Sequence, residues 1–260
     1  MRIGKQDNPF SAISTSDADS ITVRGKDLCS ELIGQLGFTD YFFFLITGRI
    51  ATEDQRYFID AVLLAIAEHG LVPSVQAARM TYVAAPEALQ GAVAAGLLGC
   101  GSVVLGSTEA CGYFLSKLVG ESRETGVSFD DVALRNLMDL KRNKASIPGF
   151  GHPQHSQGDP RADKLLALAK DRNIEAAHIQ MLYAVGKAIP VVYGRTLPVN
   201  VSGAIPAIML DVGFPLGALK GIPILARTAS LIAHLNEEST RPIGFVLSHH
   251  AAQAIEYDGE

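Results

Sequence analysis

Apolar residues recur at helical spacing along most of this chain, and caps and glycines mark where each segment starts and stops. The clearest start is Thr52-Glu53-Asp54-Gln55, a capping box with Thr52 at the N-cap and Gln55 three residues on. Phe58, Val62, Ala65, Ile66 and His69 then fall on one face, so the spacing predicts a helix that delivers His69 at its end, ahead of the C-cap signal Gly70. Pro86-Glu87 opens the next predicted helix, on which Gly91, Ala92, Ala95 and Gly96 make a small-residue face that lets another helix come close. After the glycine-rich stretch Gly99 to Gly106 the periodicity resumes through Glu109, Phe114, Leu115 and Leu118. The polar segment Glu121 to Asp130 reads as a loop or crossover, and Ser128-x-x-Asp131 starts a helix to about Lys144, where Lys141, Arg142 and Lys144 suit a C-terminus.

Asp159 as N-cap and Pro160 at the first helical position predict a helix through Lys170, and further helices are expected at Ile174 to Ala188, Ala204 to Val212 and Leu216 to Glu237. Strand signals are confined to Ser20 to Lys26, which alternates and carries Gly25 at a turn position, as a small hairpin or extended arm would. The tail from Arg241 reads as an extension on a neighbour or a frayed end. The fold class expected is mainly α.

Composition narrows the function. At 260 residues, 48% apolar and 19% charged, the chain is globular and sits near the size at which one core becomes two domains. Aromatics are 7% and Trp is absent, so closely packed Ala- and Leu-rich helices build the core. A net charge of -5 excludes a nucleic-acid surface or a basic membrane face, so any cationic site is local. Cys29, Cys100 and Cys111 have neither zinc-ligand nor disulfide-scaffold spacing and read as buried thiols in a reducing compartment. Residues 1–19 lack the apolar core of a signal peptide, and the most apolar stretches, Ala61 to Ala67 and Ala92 to Leu98, are too short to span a bilayer, so a soluble cytoplasmic protein is expected.

The chemistry concentrates in Ile147-Pro148-Gly149-Phe150-Gly151-His152-Pro153 and, just downstream, Asp159-Pro160-Arg161-Ala162. A histidine on a glycine-flanked loop and an arginine in the first turn of a helix place a titratable imidazole and a fixed cation at the mouth of one pocket, which suits an anionic substrate. Arg161 is misplaced for the helix macrodipole and so reads as holding a ligand. Arg227 lies in an apolar helix, where the alternatives are a ligand or a buried salt bridge. His69 is a candidate base or binder, or simply a helix cap, and Arg241 a binder or surface charge. His152 and His155 form H-x-x-H without a third ligand, and His249-His250 stands in the tail, so no metal site is predicted. Cys111 is a candidate nucleophile or a small buried thiol.

At GFGHP and DPRA the chain resembles the citrate synthase superfamily and, by its length, the short citryl-CoA lyase-like branch. Phe38-Thr39-Asp40 through Leu45-Ile46-Thr47-Gly48-Arg49 is similar to an early helix and its "TG" turn, and Glu68-His69-Gly70 to the substrate-binding Asp/Glu-His motif. Ala226-Arg227-Thr228 with Ala233-His234 resembles the late helix that presents a carboxylate-binding arginine. Thr240-Arg241-Pro242 resembles the segment that reaches into the partner subunit's active site. The resemblance implies a two-domain helical subunit in an intertwined homodimer, with residues 1–110 and 206–260 forming a large domain, 111–205 a small one, and hinges near Gly106 and Gly203. It implies His152 and His69 as catalytic, Arg161, Arg227, Arg241 and Asn200 as substrate-binding, and Gly149, Phe150 and Gly151 along a CoA thioester that is substrate rather than resident cofactor.

Two of the family's three catalytic groups depart. Val104 stands at the histidine of the "HGGANE"-like loop, and Ser202 of Asn200-Val201-Ser202-Gly203 stands at the aspartate of the "NVD" loop. Loss of a general base typically costs about a hundred- to ten-thousandfold, so condensation from acetyl-CoA is expected to be severely impaired. Glu109 and Asp211 are the acids considered as stand-ins, against plain salt-bridge roles. Cleavage of citryl-CoA, or of a related 3-hydroxy-3-carboxyacyl-CoA, first needs a proton removed from a tertiary hydroxyl, which His152 suits while the arginines hold carboxylates. Condensation with an unusual acyl-CoA or acceptor, and a non-catalytic CoA- or carboxylate-binding paralogue, are the alternatives.

Overall fold

The computed structural model describes residues 10–101, 106–151 and 158–259, and among these the chain is mainly helical. It divides into two compact units, one ending at Asp60 and the other beginning at Ala61.

The first unit opens with an antiparallel meander of β1 (Ser14–Ser16), β2 (Ile21–Val23) and β3 (Lys26–Asp27), paired Thr15 to Thr22 and Thr22 to Asp27. The two residues between β2 and β3, Arg24 and Gly25, both have positive φ, 50° and 83°, as a tight right-twisting hairpin demands. Arg24 tolerates this because its guanidinium donates to the carbonyls of Leu45 (2.6 and 3.0 Å) and Ile46 (3.1 Å), which end helix α1 (Phe38–Thr47). A cation there satisfies carbonyls that have no partner within the helix. Gly48 closes α1 in the left-handed conformation, the turn expected of Thr47-Gly48. Val23, Leu32 and Phe44 form the core of this unit.

Helix α2 (Glu53–Ala67) begins in the predicted capping box: the Gln55 N–H donates to Thr52 Oγ1 (3.2 Å) and the Thr52 N–H to Gln55 Oε1 (2.9 Å). It ends at Ala67, so His69 lies on the turn after the helix and not on its face, and Gly70 at φ 73° supplies the left-handed bend.

Beyond α2 the helices fall into two groups. In one, α3 (Pro73–Ala84), α4 (Leu89–Leu98), α10 (Gly221–Glu238) and α11 (Gly244–Ala254) pack around Val75, Ala78, Ala92, Leu231 and Leu235. The small-residue face predicted on α4 is used: a Cβ on Gly96 would lie 2.7 Å from the Leu231 side chain and 3.0 Å from the Ser74 carbonyl. Helix α4 starts at Leu89, since Pro86-Glu87 forms the turn ahead of it. Helix α3 is absent from the expected elements: its N-cap, Val72, makes no side-chain cap bond, and Pro73 at the first helical position is its start signal. The tail is a further helix, α11, with Gly244 tight against Val83 and the Arg79 carbonyl of α3.

The other group comprises α5 (Gly106–Thr125), α6 (Phe129–Arg142), α7 (Pro160–Asp171), α8 (Ala177–Tyr193) and α9 (Val201–Asp211). Helix α5 runs on to Thr125, which shortens the expected crossover to Gly126–Ser128. Ser128 caps α6 as predicted, accepting the Asp131 N–H at 3.2 Å. Helix α9 is sheathed by α5, α7 and α8 and buries every residue from Gly203 to Met209. The boundaries expected at 110 and 206 fall inside α5 and α9.

With the 3-10 turn Leu216–Ala218 that precedes it, α10 gives one 23-residue segment, Leu216–Glu238, in which an 18-residue window reaches a mean hydropathy of 1.3, long and apolar enough to cross a bilayer. Its buried Arg227, Ser230 and Glu238 and its packing on α3 and α4 are those of a core helix.

Candidate active site

Three of the sequence-predicted positions lie outside the described residues: His152, His155 and Val104. The residues that flank them in the chain begin with the glycine loop. Gly149 and Gly151 have φ of 84° and 77°, and between them Phe150 pairs with Val199 in a single antiparallel bridge. The Gly151 N–H donates to the Pro198 carbonyl (2.8 Å) and the Asn200 N–H to the Gly149 carbonyl (3.0 Å). Phe150 is buried, its ring 3.5 Å from where a Cβ on Gly186 of α8 would stand, so the aromatic anchors the loop in the core.

Asn200, predicted to hold substrate, has its side chain spent on this joint. Its Oδ1 accepts the Gly203 N–H (3.1 Å), capping α9, and its Nδ2 donates to the Gly151 carbonyl (2.6 Å). One amide thus caps a helix and fixes the loop that leads into His152.

Asp159 ties α7 to the same place. Its Oδ1 accepts the Arg161 N–H (3.1 Å) and Nε (2.9 Å), and its Oδ2 accepts Arg161 Nη2 and the Val201 N–H, each at 2.9 Å. Burial pushes this carboxyl up, but the Arg161 guanidinium and the Val201 N–H outweigh it and hold it at about 2. This corrects the inference that a cation in a first turn must find a ligand: Arg161 is matched by the N-cap carboxylate of its own helix.

Arg227 is buried on α10, and its Nη1 donates to the Ala67 carbonyl (3.4 Å) at the end of α2. Burial lowers the pKa of its guanidinium and the charge of Arg161 adds to that, against the opposing pull of Cys100 and Glu68. The turn 68–70 lies beside Arg227. Ser230 and His234 follow Arg227 at helical spacing, and both meet Glu68 Oε2, at 2.5 and 2.9 Å. Glu68 Oε1 accepts the N–H groups of His69 (2.9 Å) and Gly70 (2.5 Å). Burial pushes the Glu68 carboxyl up, yet Ser230, the Gly70 N–H and His234 more than offset this and lower it. The polar stripe Arg227, Ser230, His234 on an otherwise apolar helix is the signal from which Ser230 and His234 were legible.

Arg241 does not join this cluster. It is exposed in the turn after α10, and the helix from Arg227 to Glu238 alone rises about 16 Å at 1.5 Å per residue.

Ser202 is the second residue of α9, and Ser107 of α5 donates a hydrogen bond to its hydroxyl at 2.9 Å. Pro206, inside the same helix, lacks the N–H that the Ser202 carbonyl would otherwise accept. Both proposed stand-in acids have other partners. Asp211, at the far end of α9, accepts the N–H groups of Ala176 (3.1 Å), His178 (2.9 Å) and Ile179 (2.9 Å) and so caps α8, while Glu109 pairs with Lys220 at 3.4 Å. Burial pushes the Cys111 thiol up to about 12, which disfavours the thiolate that a nucleophile needs. Among the described residues no three His, Cys, Asp or Glu side chains are grouped to hold a metal ion.

Comparison with known proteins places this arrangement. No curated protein sequence matches the chain. Citryl-CoA lyase from Hydrogenobacter thermophilus is similar in structure at a TM-score of 0.85 and 29% identity, over 100% of this chain and 96% of that one. ATP citrate lyase from Methanothrix soehngenii, in complex with citrate and coenzyme A, is similar at 0.77 and 24% identity, but the chain spans only 43% of that protein. Citrate synthase from Thermotoga maritima shares the fold at 0.66 and 18% identity, over 86% of this chain and 57% of that one. The family model for the citrate synthase C-terminal domain matches residues 22–243, and the chain belongs to that family.

Proposed function

We propose that the protein is a citryl-CoA lyase-like enzyme that cleaves citryl-CoA, or a related 3-hydroxy-3-carboxyacyl-CoA, to an acyl-CoA and a 2-oxo acid. The observation that carries this reading is Arg227, buried on α10 beside the turn of His69, where it donates to the Ala67 carbonyl and forms no salt bridge among the described residues. A buried guanidinium short of compensation is costly. A ligand carboxylate removes that cost, and the citryl group carries carboxylates. The end-to-end likeness to a citryl-CoA lyase at 29% identity supports the same substrate.

In the reaction proposed, a base, assigned to His152, takes the proton of the tertiary hydroxyl. The alkoxide collapses to the ketone of oxaloacetate as the adjacent carbon–carbon bond breaks. The electron pair of that bond becomes the enolate of acetyl-CoA, which takes up a proton at carbon, so the proton count balances. Arg161 and Arg227 hold the departing carboxylates, and His69 donates a hydrogen bond to one of them. The CoA chain lies along Gly149, Phe150 and Gly151 as substrate, and no resident cofactor is invoked.

The reading includes a homodimer in which Arg241 serves the partner's site, supported by its distance along α10 from Arg227 and by exposed Phe245 and Val246 on α11. A large part, residues 1–110 with 206–260, and a small part, 111–205, closing over the ligand are also proposed, in keeping with the grouping of α5 to α9 apart from α3, α4, α10 and α11. Three free thiols suit a reducing cytoplasm. Purified protein incubated with citryl-CoA is expected to release acetyl-CoA and oxaloacetate, read by coupled malate dehydrogenase. Turnover no faster than the spontaneous hydrolysis of citryl-CoA rejects the reading.

A further inference from the structure

We propose that Arg79 is a positioning residue for His69, acting through His234 and Glu68; this rests on the reading that His69 binds the substrate's carboxylate. Arg79 sits in the middle of α3 and is 2% exposed, among the largest fully buried side chains of the protein. An arginine so placed needs compensation, and it has Glu238, at 2.7 Å from Nη1, and Glu237, from Nη2. Those two carboxylates account for its charge. They do not account for its third partner: Arg79 Nε and Nη2 both point at His234 Nδ1, at 3.3 and 3.1 Å.

That contact fixes a tautomer. A guanidinium has donors only, so His234 Nδ1 must offer its lone pair and the ring proton resides on Nε2. Nε2 faces Glu68 Oε2 at 2.9 Å and donates to it. Ser230 adds a second donor on the same oxygen at 2.5 Å, and Glu68 Oε1 takes the backbone N–H groups of His69 and Gly70. The groups that face His234 are thus Arg79 from α3, Glu68 from the turn after α2, and Glu237 and Glu238 around the arginine on its own helix.

The consequence is mechanical. Glu68 is 53% exposed, so hydrogen bonds rather than packing orient its carboxylate. The turn that carries His69 hangs from that carboxylate by two N–H groups. Two helices hold the carboxylate from behind, α10 through Ser230 and His234 and α3 through Arg79. With His234 in the other tautomer, Nε2 would present a lone pair to Glu68 and the turn would lose a donor. Arg79 excludes that state without touching substrate.

His234→Phe keeps an aromatic ring and removes the hydrogen bonds to Arg79 and Glu68, whereas His234→Gln keeps an N–H to offer Glu68. In His234→Phe, KM for citryl-CoA and the Kd for citrate by calorimetry are expected to rise together by about tenfold, the worth of one misplaced hydrogen bond to a charged group. His234→Gln should regain most of the loss, and Ser230→Ala, which perturbs folding least, should show a smaller rise. A merely structural role would instead lower the melting temperature and the active fraction and leave KM and Kd where they were, and that result overturns the proposal. Absence of citryl-CoA cleavage in the wild type defeats the proposed function alone, because the citrate Kd series still decides the positioning role. Equal Kd values in wild type and His234→Phe, or no citrate binding by the wild type, overturn it.

Discussion

Gly149 and Gly203 meet backbone to backbone. A Cβ on Gly203 would stand 2.5 Å from the Gly149 carbonyl oxygen, and one on Gly149 would stand 2.8 Å from the Gly203 Cα and 2.6 Å from Cys111 Sγ. The glycine loop is thereby laid on the first turn of α9, next to Ser202. Gly203 sits inside α9, where alanine is otherwise favourable, so the contact alone decides the outcome. Gly203→Ala is expected to cost about 1–3 kcal/mol as overpacking against a backbone that cannot turn aside. Thermal unfolding should read this as a drop of about 2–4 °C per kcal/mol for a chain of this size. An unchanged melting temperature would show that the loop yields freely.

Asp159 and Arg161 predict an acid limb. The Asp159 carboxyl is held at about 2 against an ordinary 3.8, so the folded state favours its charged form. The stabilisation is complete above about pH 4 and disappears as pH falls through about 2. Asp159→Asn should remove it, leave Arg161 uncompensated, and cost about 3–5 kcal/mol, the range for breaking a largely buried pair. Its stability, followed by circular dichroism, should also vary less than the wild type's between pH 4 and pH 2. Parallel acid-unfolding curves for the two proteins would contradict this account.

What was legible in the sequence was legible for local reasons. The capping box at Thr52, the N-caps Ser128 and Asp159, and the Thr47-Gly48 stop each name their own partner within a few residues, and each is in place. The partners of Asn200 and Arg161 were missed for different reasons: Asn200 reaches back 49 residues to Gly151, whereas Arg161 is answered by Asp159, a carboxylate two residues away in its own motif that was assigned only to a cap. Arg79 left no trace at all, since a lone arginine in a helix reads as surface until its partners 155 to 159 residues away are known.

The thiols predict a labelling order. Cys29 is exposed, against the expectation that all three thiols are buried, whereas Cys100 and Cys111 are buried, and burial holds the Cys111 thiol at about 12, far above the pH of any assay. Since the thiolate is the reactive form, iodoacetamide at pH 8 should modify Cys29 alone in the folded protein, as peptide mass mapping would show. Cleavage activity should survive that modification. Loss of activity in step with alkylation of Cys111 would restore it as a candidate nucleophile.

Ser202→Asp tests whether the lost carboxylate is what separates this chain from a condensing enzyme. Ser202 is the second residue of α9, and a negative charge in a helix's first turn is stabilising by about 0.3–1 kcal/mol, so the variant should fold. Ser107, 2.9 Å from the present hydroxyl, would then donate to the new carboxylate and lower its pKa, which weakens it as a base. With acetyl-CoA and oxaloacetate in deuterated water, wild-type protein should exchange the acetyl methyl protons no faster than background. Ser202→Asp should raise that exchange by a measurable part of the hundred- to ten-thousandfold that a general base is roughly worth. The double variant with Ser107→Ala should exchange faster still, because it frees the carboxylate of its hydrogen bond. Exchange at the wild-type level in both variants would mean that a base at position 202 does not reach the methyl group, and that the chain departs from a condensing enzyme in geometry as well as in residue identity.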